Sequence, residues 1–151
     1  MKTKQRIFMS QKINFSNEKE LRQFVEKFEK QTLPLSEWNH EAHLTVAFWY
    51  LKKYTFEEAV IKTRTQIISY NNFVGIKNTN ESGYHETITL FWLKIIHIFI
   101  NKNKNIGMVK CLKLFFQSAV SHKDFIFQYY TFKKLFSVKA RALWIEPNKK
   151  I

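Results

Sequence analysis

Apolar residues recur along most of this chain at the three- and four-residue intervals of an α-helix, and polar residues between them mark where each helix starts and stops. Asn17 and Glu20 have the spacing of a capping box, in which the Asn side chain accepts from a backbone N–H and the Glu reaches back. Leu21, Phe24, Val25 and Phe28 then make one apolar face. Pro34 closes this first helix, because the residue before a proline is pushed out of the α region. A second helix is expected to begin between Ser36 and Asn39 and to run to about Tyr54. On a 3.6-residue period it places His40, His43, Ala47 and Tyr50 on one side, with Leu44 and Leu51 at the edge.

Thr55 and Glu58 repeat the capping-box spacing and open a third helix, with Ala59, Thr63, Ile67 and Tyr70 in one stripe. The stretch from Asn71 to Gly83 is dense in turn formers and reads as a long internal loop that delivers the chain into His85. An apolar helix follows from about Tyr84 to Ile100, with His85, Ile88, Thr89, Trp92, Ile95, Ile96 and Phe99 along one side. A fifth helix carries Met108, Leu112, Phe115, Phe116 and Ala119. A sixth, after Ser121, carries Phe125, Tyr129, Phe132 and Leu135 or Phe136. Val138 to Pro147 is expected to close the chain as an extended tail that packs Leu143 and Trp144 on the bundle, with Arg141 as an anion clamp or a surface ion pair. These elements predict a compact all-α single domain of five or six helices over residues 15–147, around a central apolar helix at about 84–100. Residues 1–14 read as a basic, poorly ordered lead-in and residues 148–151 as a tail.

Composition agrees with a helical core. Aromatic residues make up 17% of the chain, against three Gly and two Pro, too few to punctuate a many-turned β-sandwich. One cysteine, Cys111, excludes an internal disulfide and a thiolate cluster; amid Leu112, Leu114 and Phe115 it reads as an inert core thiol. No signal-peptide h-region is visible and no apolar run reaches membrane-spanning length, so a cytoplasmic protein with no membrane partner is expected.

The formal charge of +13 is unevenly distributed. Residues 101–151 hold eleven basic and two acidic residues, whereas residues 18–100 hold ten of each and contain both histidine segments. Of the 25 basic residues 21 are Lys and four are Arg, although bidentate recognition of phosphate favours Arg. The abundance of Lys, Asn, Ile and Phe also fits the drift of an AT-rich genome. Nucleic acid is therefore a weaker expectation than the charge alone suggests, and the basic carboxy-terminal third keeps it, or an acidic partner, open.

The candidate chemistry lies in two segments, Trp38-Asn39-His40-Glu41-Ala42-His43-Leu44 and Gly83-Tyr84-His85-Glu86-Thr87-Ile88-Thr89. Histidines three apart on a helix address the same ion or molecule. With His85 from a second helix, His40 and His43 would supply three ligands to a divalent metal such as zinc, iron or manganese, leaving one position open for chemistry. Glu86 or Glu41 would serve as general base. Trp38, Arg64, Tyr70, Asn71, Asn78, Tyr84 and Trp92 are the candidate substrate-binding residues. For each residue a structural role competes: His85 as a capping residue, the two glutamates as solvated first-turn carboxylates, the aromatics as core, and the asparagines as partners of loop backbone. His97 and His122 read as structural or solvated.

Trp38-x-His40-x-x-His43-Leu44, the aromatic Trp49-Tyr50-Leu51, Gly83-Tyr84-His85-Glu86-Thr87-Ile88-Thr89-x-Phe91-Trp92 and Ala140-Arg141-x-x-Trp144-x-x-Pro147 together resemble an uncharacterised family of small bacterial all-helical proteins. The resemblance runs from about Leu33 to Pro147. It implies that the histidine segments and the tail occur together, and it carries no activity, ligand or partner; the short Pro-Asn-Lys-Lys-Ile ending departs from its pattern. The leading expectation from sequence is a small metal-dependent enzyme, a hydrolase or an oxygenase. A metal-free helical module that binds a small molecule, and a basic interaction protein, are the alternatives.

Overall fold

The structure, a computed structural model, describes residues 13–151. Most of the basic lead-in therefore lies outside the described residues, and of its last positions Ile13 packs on the edge of the core. Among the described residues the chain is helical throughout with no strand, and five helices of ten residues or more form the bundle: α1 (Glu18–Glu29), α2 (His40–Lys53), α3 (Phe56–Val74), α4 (Glu86–Lys102) and α5 (Met108–Gln117). None is long and apolar enough to cross a membrane.

The helix starts follow the side chains that cap them. Asn17 accepts from the Glu20 N–H, Asn39 from the Ala42 N–H, and Thr55 and Glu58 form a complete capping box. Each cap satisfies a donor that the first turn leaves without an intrahelical partner. The turn between α2 and α3 is a single step through Tyr54 and Thr55, so the two helices pack directly on each other.

α4 is the central element. It packs against α2, α3 and α5 and against the chain's last helix, and it buries Phe91, Trp92, Leu93, Ile95, Ile96 and Ile100. Its apolar residues occupy more than one face, so neighbours cover several sides of it, while Ile98 and Asn101 mark the side left to water. α1 covers α2 and α3 with Leu21, Val25 and Phe28, and the Tyr50 hydroxyl ties α2 to α1 by donating to Glu29 at 2.8 Å.

Three boundaries differ from the expectation. α3 continues through Asn71 and Asn72 to Val74 and ends at Gly75, whose φ of +83° is the left-handed cap that suits glycine. The loop is thus shorter than the run of turn formers, since two of its asparagines serve as the last helical turn. The expected sixth helix is broken into 3₁₀ turns at Ala119–Ser121 and Lys123–Gln128 and two short helices, α6 (Phe132–Leu135) and α7 (Val138–Ala142). Side chains restart the chain at the last three of these: His122 accepts from the Asp124 N–H, Thr131 from the Lys134 N–H and Ser137 from the Ala140 N–H. Residues 138–142, expected to be extended, are α7. Leu143 is exposed instead of packed, while Trp144 is half-buried against Tyr130 with Lys94 over its ring.

Candidate functional site

The first turn of α2 faces α3 and α4 across a cavity of about 290 Å³. Its walls are Trp38, Asn39, His40, His43, Leu44 and Ala47 from the α2 side, Thr63 and Ile67 from α3, and Ile88, Thr89 and Trp92 from α4. No lysine, arginine, aspartate or glutamate is among them. The volume stands at the small end of ligand pockets, and the lining, mostly apolar with a few polar groups, is what such pockets share.

Both histidines here are held by one ring nitrogen and keep the other. His43 Nδ1–H donates to the Asn39 carbonyl at 2.7 Å, and its ring lies against Trp38 with centroids 3.8 Å apart. Burial pushes its pKa down to about 4, so the imidazole is neutral at pH 7. His40 Nε2–H donates to the Ser121 carbonyl at 2.9 Å, its ring edge packs against Trp92, and burial lowers its pKa as well. The carbonyl partners fix the tautomers, because a carbonyl only accepts. His43 Nε2 and His40 Nδ1 are then lone-pair acceptors, and neither has a hydrogen-bond partner among the described residues.

Thr63 adds a third unspent group. It is 2% exposed, and its hydroxyl is the one buried side-chain polar atom without a partner among the described residues. Buried hydroxyls are nearly always hydrogen-bonded, and one left alone costs about 1–3 kcal/mol. The sequence places Thr63 on the apolar stripe of the third helix, and a threonine on a buried stripe is the signal that singles it out. Asn39, Thr89, Leu44, Ala47, Ile67 and Ile88 also line the cavity without having been candidates.

His85 is elsewhere and is spent. It is the N-cap of α4, with Nδ1 accepting from the Ile88 N–H at 3.2 Å and Nε2–H donating to the Leu135 carbonyl at 2.8 Å. With both nitrogens bonded in this arrangement, neither is free to join His40 and His43 around a metal. Among the described residues no three His, Cys, Asp or Glu side chains come together as a metal site, and residues 1–12 contain none of these types.

Glu86 is spent too. Its carboxylate accepts from Arg64 Nε at 3.0 Å, from Arg64 Nη2, and from the Tyr84 hydroxyl at 2.6 Å. These donors lower its pKa against the opposing effect of burial, so it is an ionised, fully paired carboxylate. Glu86 is thus held by Arg64 and Tyr84, and none of the three lines the cavity. Arg141, expected as an anion clamp or surface pair, donates instead to the Gly83 and Tyr84 carbonyls.

The remaining candidates divide in the same way. Trp38 and Trp92 line the cavity. Tyr70 is in the core, donating to the Leu33 carbonyl at 2.8 Å. Asn71 donates to Asn78 Oδ1, which also accepts from the Tyr84 N–H, and Asn78 Nδ2 donates to Asn72 Oδ1, so these side chains hold the loop against the end of α3. Glu41 lines a separate outer cleft with Ser121, His122 and Lys123, and Asn39 and His40 border both spaces. Cys111 is buried.

Compared with protein-family models, with curated proteins and with solved structures, the chain matches none.

Proposed function

We propose that this chain is a binding module for a small, uncharged, largely aromatic molecule that carries a hydrogen-bond donor, held without a metal between α2, α3 and α4. The single observation behind this reading is a mostly apolar cavity bordered by two neutral imidazoles with unpartnered acceptor nitrogens and by Thr63, whose buried hydroxyl has no partner among the described residues. Trp92 and the His43 ring, which lies against a Trp38 stacked on Phe28, give the wall its aromatic surface. A wall with no formal charge disfavours an ionic ligand, whose desolvation nothing there would offset.

Phenol and indole are suitable probes, with toluene as the ring that lacks a donor. Chemical-shift perturbation and the thermal midpoint of tag-free protein should respond to the first two more strongly than to toluene. His43→Phe keeps a ring against Trp38 but removes the acceptor, and should weaken phenol binding about tenfold, the worth of one hydrogen bond. No response to phenol or indole at millimolar concentration, or equal binding by His43→Phe, would overturn the reading.

A metal-dependent enzyme is the second reading. What favours it is that His40 and His43 each keep one free nitrogen at the same cavity. Two protein ligands would leave most of the coordination sphere to water and substrate. Elemental analysis decides it: stoichiometric zinc, iron or manganese, lost in His40→Ala, would put this reading first.

A further inference from the structure

The carboxy-terminal third carries an apolar surface that the pocket does not use. Phe127, Phe132 and Phe136 are 42%, 69% and 45% exposed, yet they touch one another: Phe132 lies 4.5 Å from Phe136 and 6.2 Å from Phe127 between ring centroids. The same segment supplies its own core residues, since Ile126, Tyr130 and Leu135 point inward and are buried. The three outward rings are therefore not surplus core. They stand on a backbone held by the Tyr130 hydroxyl donating to the Ile145 carbonyl and, at the surface, by Asn148 Oδ1 accepting from the Thr131 N–H.

Basic residues flank them along the chain. Residues 119–145 hold Lys123, Lys133, Lys134, Lys139 and Arg141 against one acidic residue, Asp124. None of the four lysines is in an ion pair among the described residues, and Lys123, Lys133 and Lys139 are exposed. We propose that this aromatic cluster and its lysines form a docking surface for an anionic lipid bilayer, the rings entering the headgroup boundary and the ammonium groups meeting lipid phosphates. Lysine suits this role, because its apolar stem follows the ring down while its charge stays at the headgroups. A single-stranded nucleic acid fits less well, since bases stack on separated ring faces and these rings already cover one another. That no helix among the described residues is long and apolar enough to cross a membrane bears on spanning alone.

Co-sedimentation with vesicles tests the proposal, comparing phosphatidylcholine alone with phosphatidylcholine containing phosphatidylglycerol, using the full chain. Binding is expected only to the anionic vesicles and should weaken as salt rises. Phe132→Ser removes a well-exposed ring, should leave the thermal midpoint unchanged and should weaken vesicle binding about tenfold. Lys133→Gln with Lys134→Gln should weaken it by about fivefold per charge. No binding to anionic vesicles at low salt would overturn the proposal. So would binding that Phe132→Ser leaves intact, which would reduce it to net charge. Loss of binding to single-stranded DNA or polyglutamate in Phe132→Ser, with vesicle binding preserved, would assign the rings to another partner and overturn it equally.

Discussion

The two histidine segments contain similar residues and use them differently. Around His85 and Glu86 the polar groups are saturated: both imidazole nitrogens and both carboxylate oxygens have partners, and Arg141 holds the carbonyls of Gly83 and Tyr84. Around His40 and His43 each ring keeps a nitrogen, and Thr63 beside them keeps a hydroxyl. The first segment fastens the loop and α4 to the carboxy-terminal turns. The second leaves hydrogen-bonding capacity at a cavity. What separates a scaffold from a candidate site here is which groups are still unspent, since the residue types are the same.

If the His85 segment is scaffold, disturbing it should cost stability, and Gly83 is where the largest effect is expected. Its φ is +76°, and an added Cβ would lie 2.5 Å from the Lys77 carbonyl and 2.6 Å from Asn78 Oδ1. Gly83→Ala should destabilise the protein by about 3 kcal/mol or more in urea unfolding, combining backbone strain with displacement of the asparagine that holds the loop. Gly75→Ala is the internal control. Its φ is similar, +83°, but nothing lies within 4 Å of the added atom, so only about 1 kcal/mol is expected. Equal costs at the two positions would mean that the loop is not packed as described.

Acid should act most strongly through His43 in the other segment. The folded-state pKa of His43 is about 4, below the ordinary histidine value, and those of His40 and His85 are lowered in the same direction. For a histidine depressed by folding, the unfolded chain binds more protons, so stability falls as pH drops through the unfolded pKa of about 6.5 and the fall ends below the folded pKa. His43 alone should account for at most about 3 kcal/mol between pH 6.5 and pH 4. Unfolding midpoints for the protein and for His43→Phe check this. The variant should lose much of the slope in that window, and an unchanged slope would remove His43 as its source.

The helices were legible because their signals are local. Asn17, Asn39, Thr55 and Glu58 act within one turn of their own chain, and the stripes of α1, α3 and α4 come from periodicity alone. The breaks after Ser121 were not legible, and one helix was expected there, because Thr131 and Ser137 are weak signals in sequence and become breaks only where their hydroxyls take backbone N–H groups. The site was half legible. His40, His43, Trp38 and Trp92 could be placed on helix faces, but the fate of His85 depends on a carbonyl fifty residues away at Leu135. No spacing rule reaches that far.

The smallest expected effect is the one most specific to the cavity. Thr63→Val replaces a hydroxyl by a methyl of nearly the same shape, at a position 2% exposed where the hydroxyl has no partner. In a scaffold a buried threonine hydroxyl is bonded, and its removal destabilises. Here the removal should stabilise the ligand-free protein by about 1 kcal/mol, because an unsatisfied polar group is replaced by an apolar one. The same change should weaken phenol or indole binding if the hydroxyl meets the ligand's polar group. Opposite signs in the two measurements would mark Thr63 as a residue kept for binding at the expense of stability. Destabilisation by Thr63→Val would show that the hydroxyl is bonded in solution, by the protein or by an ordered water, and the unspent side of the comparison would lose one of its three groups.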